Sequence, residues 1–226
     1  FKAREGGPAG NKITVDIKPD APAEDGKKGS GEFTLQIKID NNVVESFGGI
    51  AWLTRADHPT GTDRLAEIAA VLPCEVLINV QGDEPFIDPA AIDLLAGPLV
   101  DDARVEMTTL CRPLLPGEDV TSPHLVKVVC DRRGRALYFS RSPIPYGRTA
   151  DGAAPAVHIG VYGYRRATLL TLASLPPTPL ERRESLEQLR ALEHGIPIRV
   201  LDSAYVSLSV DTPADLAHAR RKASDL

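Results

Sequence analysis

The sequence predicts an α/β fold in which helices cover both faces of a sheet. Short apolar runs alternate with amphipathic stretches, and turn-forming residues separate them. The clearest strand is VLINV at Val76–Val80, whose almost wholly apolar composition suits a strand covered on both faces in a parallel sheet. Repeated helix–strand units indicate a Rossmann-like three-layer arrangement, and a predicted hairpin adds a β-rich insertion.

Residues 1–42 differ in composition from the rest of the chain. Lys12–Lys18 and Glu32–Asp40 place β-branched or apolar residues at alternate positions, and the stretch between them is rich in Pro, Gly and Lys. This pattern predicts a β-hairpin with a long loop, which must dock on the main domain or remain mobile because a lone hairpin is marginally stable. Val43–Gly49 is expected to be the end of a helix closed by its two glycines.

The elements after this segment follow from caps and periodicity. Thr60 or Thr62 is expected to begin the first helix and Asp88 the second, because these residue types cap helix N-termini. Gly134 indicates the turn of an antiparallel hairpin, and Gly195 the end of a helix. The predicted elements are a helix from Thr60 or Thr62 to about Leu72, a strand at Glu75–Val80, a helix at Pro89–Val100, a strand at Val105–Leu110, a hairpin of Leu125–Asp131 with Arg135–Ser140, a strand at Val157–Arg165, a helix at Leu180–His194, a strand at Ile198–Asp202 and a helix at Pro213–Ala223.

Composition narrows the possible functions. The net charge of −5 gives no indication of nucleic acid or an anionic membrane as partner. No apolar run approaches the ~20 residues that a spanning helix needs, and no signal peptide is recognisable. The three cysteines are scattered in apolar stretches and are expected to be reduced thiols. We therefore expect a cytoplasmic enzyme.

Two carboxylates follow predicted apolar strands. Asp83 lies in Gln81–Pro85 after VLINV, and Asp211 follows the apolar run Val206–Val210. Open α/β sheets bind ligands at the carboxyl ends of their strands, and Mg²⁺ is commonly held by one or two carboxylates plus phosphate and water. Taken alone, Asp83 is equally typical of a turn, and Asp211 of a helix N-cap before Thr212-Pro213.

Further polar residues suit a ligand site, although each also has a structural interpretation. Arg141 follows a predicted strand and has the geometry to hold a carboxylate with two hydrogen bonds. His158 and Tyr162 fall on the same face of a strand, and Gly160 between them leaves room for a ligand, although a single strand histidine is usually structural. Glu187 and Gln188 lie on a predicted helix. The simpler interpretation there is exposure to solvent, or an i, i+4 pair between Glu184 and Gln188.

Several long motifs resemble those of the 3-deoxy-manno-octulosonate cytidylyltransferase (CMP-Kdo synthetase) family. The resemblance runs from about Val43 to the C-terminus, in family order. The matching stretches are FGGIAWLTRADHPTGTDRLAE (Phe47–Glu67), LINVQGDEPFI (Leu77–Ile87), LVKVVCDRRGRALYFSRSPIP (Leu125–Pro145), HIGVYGYRR (His158–Arg166), PLERRESLEQLRALEHG (Pro179–Gly195) and SVDTPADLAHAR (Ser209–Arg220).

The resemblance implies a nucleotidyltransferase fold and a reaction. The family joins CTP to 3-deoxy-D-manno-octulosonate (Kdo), giving CMP-Kdo and pyrophosphate for lipopolysaccharide biosynthesis. It implies Asp83 and Asp211 as Mg²⁺ ligands, and it places cytosine against Arg55 and the Thr60-Gly61 backbone, in a stretch that otherwise reads as a surface loop. Family members are homodimers, for which Leu125–Pro145 is a plausible interface. The residues implied for the sugar are Gln81, Arg141, His158, Tyr162, Glu187 and Gln188, with Arg148 nearby.

The N-terminal segment departs from the family pattern. Members open with a strand and a triphosphate-binding loop of the form ARxxSTRLPGKPL, whereas here only Ala3-Arg4 and Lys12 faintly match, and we treat that match as coincidence. We therefore expect an atypical segment at 1–42 and a cytidylyltransferase-like domain at 43–226 that recruits a strand from the segment into its sheet. A catalytically impaired ligand-binding relative and an acylneuraminate cytidylyltransferase are the alternative functions.

Overall fold

The protein divides into two compact units, Phe1–His58 with Lys222–Leu226, and Pro59–Arg221. The computed structural model describes residues 2–6, 12–19, 30–39, 42–52, 54–58, 60–149, 155–206, 208, 210 and 212–224. In the first four of these ranges, and at Ser224, it describes the backbone alone.

The first unit contains a four-stranded antiparallel sheet in which consecutive strands are neighbours. The hairpin predicted in the N-terminal segment is confirmed, since its two strands pair over seven positions. Both are inner strands of their own sheet, so the expectation that one of them joins the main sheet was wrong. The strands are β1 (Lys2–Gly6), β2 (Lys12–Pro19), β3 (Ser30–Ile39) and β4 (Asn42–Trp52).

The helix predicted at Val43–Gly49 was also wrong, because this stretch belongs to β4. It pairs with β3 in a register that sets Phe47 opposite Leu35. Two adjacent valines and a phenylalanine suit a strand that has a partner, and the glycine pair was read as a helix end without knowledge of that partner.

The second unit is a six-stranded mixed sheet with helices, which confirms the α/β class. Its strand order is β10-β6-β9-β7-β8, and β5 pairs with β9. The strands are β5 (Val76–Asn79), β6 (Met107–Pro113), β7 (Lys127–Cys130), β8 (Ala136–Ser140), β9 (Ala156–Arg165) and β10 (Ile198–Asp202). The helices are α1 (Gly61–Ala69), α2 (Pro89–Asp101), α3 (Arg166–Ser174), α4 (Pro179–Glu184), α5 (Gln188–Glu193) and α6 (Pro213–Ser224).

Strand direction differs from the expectation. β5 is antiparallel to β9, with Ile78 opposite Gly163, whereas β6 and β10 are parallel. The parallel pairing predicted for this strand was therefore wrong. The apolar composition of VLINV indicates that the strand is buried, but it does not specify the direction of the neighbouring strand. The insertion is confirmed as the antiparallel hairpin β7–β8, and Gly134 in its turn has φ +72°. The carbonyl of Gly134 accepts a 2.8 Å hydrogen bond from the N–H of Val200 on β10.

The helix caps were predicted well and the helix interiors less well. Thr60 and Asp88 cap α1 and α2 as expected. The predicted helix Leu180–His194 is broken at Ser185, which has φ +52°. Helix α3 was missed because it lacks a side-chain cap at its N-terminus. The described residues of the apolar run before Asp211 form no strand.

The core packs the helices against both faces of the sheet. One cluster surrounds Phe139 and Tyr164, and a second joins α2 to β6 and β9 through residues such as Leu95. Close packing at Gly163 fixes α2, because a Cβ there would lie 2.7 Å from the Leu99 side chain. Cys74, Cys111 and Cys130 are free, and Cys130 is exposed rather than buried. Within the described residues, none of the helices is both long and apolar enough to cross a membrane.

Candidate active site

The loop that follows β5 forms part of the wall of a cavity of about 800 Å³, which we call the outer cavity. Its other walls come from β6, the segment before β7, the end of β8, β9 and the start of α6. The cavity brings together four of the predicted site residues, which are Gln81, Asp83, Arg141 and His158. It also contains polar residues that sequence reasoning missed, among them Glu84, Arg112, His124 and Asp215.

The loop Gln81–Pro85, which we call the Asp83 loop, is held in place by contacts with the C-terminal part of the unit. The Tyr205 hydroxyl donates to Glu84 Oε2 at 2.9 Å, and burial together with this bond raises the pKa of Tyr205, so the hydroxyl keeps its proton. The backbone N–H of Val210 donates to the Asp83 carbonyl at 3.0 Å. Asp211 lies outside the described residues, so its convergence with Asp83 stays a prediction.

The side chains of the Asp83 loop that line the outer cavity suit a hard cation. Asp83 and Gln81 both line the cavity, and their side chains offer oxygen ligands. Among the described residues, no three His, Cys, Asp or Glu side chains gather closely enough to hold a metal ion. Mg²⁺ bound through one or two carboxylates and substrate phosphates needs no such cluster, so the residues present fit it.

The predicted cytosine loop is divided between the two units. Arg55, in the first unit, is exposed and lies 3.7 Å from Asp57 as a solvent-facing ion pair. The Thr60 hydroxyl accepts a 3.1 Å hydrogen bond from the N–H of Asp63, which is the capping role foreseen as the alternative. Gly61 packs against Gln81, because a Cβ at Gly61 would lie 2.6 Å from Gln81 Nε2.

Arg141 lines the outer cavity while it also holds the surrounding backbone. Its guanidinium donates to the carbonyls of Glu184 and Pro123, each at 2.7 Å, and to that of Ser185 at 3.2 Å. A guanidinium has five N–H donors, so two remain for a ligand. Arg148 is exposed and lies outside the cavity wall.

The predicted pairing of His158 and Tyr162 on one face of β9 is confirmed, with ring centroids 5.5 Å apart. Burial lowers the pKa of His158 to about 3, so the imidazole is neutral at physiological pH. The Thr109 hydroxyl donates to the Val161 carbonyl at 2.9 Å and lies 2.9 Å from His158 Nε2. Since the hydroxyl proton is committed to that carbonyl, we assign the proton to His158 Nε2, which donates to Thr109.

The other predicted sugar residues line a second, smaller cavity of about 50 Å³, which we call the inner cavity. The predicted site residues in it are Tyr162, Glu187 and Gln188, and the others are Thr62, Met107, Tyr164 and Leu172. The predicted sugar residues therefore occupy two cavities, and the His158–Tyr162 ring pair contributes one member to each.

The inner cavity holds a buried carboxyl group and a buried amide among apolar and aromatic neighbours. Burial raises the pKa of Glu187, although hydrogen bonds from Thr60 and Thr62 oppose the rise. Gln188 is 5% exposed, and neither its Nε2 nor Glu187 Oε1 has a hydrogen-bond partner among the described residues. Buried polar atoms of this kind favour a ligand hydroxyl or a water molecule as partner.

Comparisons with known proteins identify close relatives of the chain. It is 54% identical to the 3-deoxy-manno-octulosonate cytidylyltransferase of Syntrophotalea carbinolica, over 79% of this chain and 77% of that protein. It is 50% identical to the protein of the same name from Solibacter usitatus, over 79% of this chain and 71% of the relative.

The comparison with solved structures also finds a member of this family. A structure of CMP:2-keto-3-deoxy-manno-octonic acid synthetase complexed with CTP matches with a TM-score of 0.75 and 44% identity, over 79% of this chain and 74% of that one. A glucose-1-phosphate thymidylyltransferase from Bacillus anthracis, 13% identical with a TM-score of 0.53, shares the fold alone. The family model described as Cytidylyltransferase matches residues 37–199. The chain is therefore a nucleotidyltransferase that belongs to the 3-deoxy-manno-octulosonate cytidylyltransferase family.

Proposed function

We propose that the chain transfers the cytidylyl group of CTP to Kdo, giving CMP-Kdo and pyrophosphate for lipopolysaccharide biosynthesis. The observation that carries the proposal is 54% identity, over most of the chain, to a protein named for this activity. A hydroxyl oxygen of the sugar forms a bond to the α-phosphorus of CTP, its proton leaves, and the bond to pyrophosphate breaks. The protein contributes mainly positioning and electrostatic stabilisation.

The proposed metal is Mg²⁺, held by Asp83 and Asp211. When bound, the ion would neutralise charge on the phosphate oxygens and lower the pKa of a coordinated hydroxyl. The placement of Asp83 in the outer cavity supports this assignment.

The proposed substrate contacts follow the two cavities. The Thr60-Gly61 backbone reads the cytosine, and Gly61 packs against Gln81, which is one of the proposed sugar ligands. The assignment of Arg55 to the cytosine stays a prediction. Arg141 faces the sugar carboxylate with its two remaining donors. The sugar hydroxyls are bound by Gln81, His158, Tyr162, Glu187 and Gln188, with Arg148 at the periphery.

We also propose a cytoplasmic homodimer whose interface includes Leu125–Pro145. Two large apolar side chains in this region are strongly exposed, Leu137 at 62% and the neighbouring Tyr146 at 88%. A contact between subunits would bury these side chains.

Product formation tests the proposed function directly. We expect pyrophosphate release that requires CTP, Kdo and Mg²⁺ together, with CMP-Kdo accumulating as the product detected by mass spectrometry. Acylneuraminate offered in competition separates the sister activity, because the two acids differ in size. Product from acylneuraminate and none from Kdo would contradict the proposal.

Arg141→Ala is expected to raise the Kdo KM by about tenfold to a hundredfold and to change the CTP KM much less, because a charge-assisted contact contributes about 1.5–3 kcal/mol. Steady-state kinetics with each substrate varied in turn measure both effects. Arg183→Ala, at an exposed arginine on α4, is the matched control and should leave both values unchanged. An Arg141→Ala variant that weakens CTP alone would show that the assignment to the sugar carboxylate is wrong.

A further inference from the structure

The break between α4 and α5 places a serine in a conformation that few residues other than glycine adopt. Ser185 has φ +52°, and the structure gives no other non-glycine residue a positive φ among those it describes. For a residue with a Cβ this conformation is unfavourable, so it persists only where neighbouring contacts maintain it. The sequence alone favours a continuous helix through this position.

Three residues, which we call the break clamp, supply these contacts: Ser140, Arg141 and Glu184. The Glu184 carboxylate accepts from Ser140 Oγ at 2.7 Å and from the backbone N–H of Arg141 at 2.9 Å. In return, the Arg141 guanidinium donates to the Glu184 and Ser185 carbonyls. The residues on both sides of the break are thus tied to the end of β8.

The break changes the direction in which the next residues face. In an unbroken helix, Gln188 would lie one turn after Glu184 on the same face. In the structure Glu184 faces β8, whereas Gln188 lines the inner cavity with Tyr162. The unpartnered Gln188 Nε2 and Glu187 Oε1 therefore depend on the break for their position.

We propose that the break clamp positions Glu187 and Gln188 to bind the sugar acid, and that Glu184 is a positioning residue that does not touch the substrate. Glu184 lines neither cavity. Arg141 belongs to the clamp and to the outer cavity wall, so the clamp connects the two cavities. The inference rests on the proposed function, since it concerns the sugar of that reaction.

Two substitutions at one position test the clamp. Glu184→Ala removes the acceptors and should raise the Kdo KM by about tenfold or more, with the CTP KM changed by less than about twofold. Glu184→Gln should restore near-native values, because its amide oxygen can accept from the Arg141 N–H while its NH₂ group donates to Ser140. Arg183→Ala on the same helix is the control. An unchanged Kdo KM in Glu184→Ala, or an equal rise for CTP, would overturn the proposal.

Amide hydrogen exchange without ligand gives a second readout that does not depend on turnover. The N–H of Leu189 donates to the Leu186 carbonyl and that of Arg190 to the Glu187 carbonyl, each at 3.1 Å. We expect faster exchange over this stretch in Glu184→Ala, and native exchange in Glu184→Gln and Arg183→Ala. Unchanged exchange in Glu184→Ala would show that the clamp does not hold the break. Loss of the proposed function itself would appear differently, as absence of CMP-Kdo from the unaltered chain.

Discussion

Asp83→Asn is expected to abolish metal-dependent turnover, a loss of ~10²-fold or more, while the fold stays nearly intact. Asparagine keeps the shape of the side chain and its backbone turn, but it removes the charge that would hold Mg²⁺. The Asp83 loop keeps its other supports, because Tyr205 contacts Glu84 and Val210 contacts the Asp83 backbone. Pyrophosphate release across a Mg²⁺ titration measures the loss, and thermal unfolding measures the fold.

The matched control is Asp93→Asn, the same chemical change at an exposed position on α2. It should leave both turnover and unfolding unchanged. Full activity in Asp83→Asn would mean that Asp83 is only a turn residue. A further contradiction would be an experimental structure in which Asp83 and Asp211 lie too far apart for ligands at ~2.1 Å to share a metal–phosphate cluster.

Replacing residues 1–42 with a family-type segment containing ARxxSTRLPGKPL is expected to increase kcat/KM for CTP by ~10²-fold or more. Triphosphates are bound by backbone N–H groups and cationic side chains that converge at a strand–loop–helix junction. The described part of this segment instead forms antiparallel strands, β1 to β3. Two restored contacts at about 1.5–3 kcal/mol each account for the expected gain.

The CTP KM and the rate of pyrophosphate release measure the effect of the graft. A second graft with alanine in place of its loop arginines and lysine is the control, because it restores the chain length without the cations. β4 loses its β3 partner in both grafts, so the comparison between them isolates the loop. An unmodified chain that already makes CMP-Kdo at the rate of the first graft would refute the prediction.

Features that depend on nearby residues were predictable from the sequence. The caps at Thr60 and Asp88, the β7–β8 hairpin and strand β10 all follow from residues within a few positions of one another. The break at Ser185 was not predictable, because it is maintained by hydrogen bonds between residues that lie 43 or 44 positions apart in the sequence. The identity of β4 as a strand and the direction of β5 likewise depend on partners that local patterns do not specify.

The candidate site also combines residues that local patterns identify with contacts that depend on distant parts of the chain. Asp83 and Arg141 were identified because each follows an apolar strand, and both line the outer cavity. Arg112 also ends a strand and lines this cavity, so the same rule would have found it. Its charge is held by Glu118 through two hydrogen bonds of 2.6 and 2.7 Å, a pairing that the sequence does not reveal. The separation of the predicted sugar residues into two cavities depends on tertiary packing that the sequence does not reveal.

The hydrogen bond between Tyr205 and Glu84 joins residues 121 positions apart. Closing a loop of this length carries an entropic cost that must be met before the contact gives any benefit, so such contacts form late in folding. During synthesis, the Asp83 loop emerges long before the residues that hold it. A chain that has not yet folded its final third therefore carries Asp83, the proposed metal ligand, without this support, and we expect the candidate site to form among the last steps of folding.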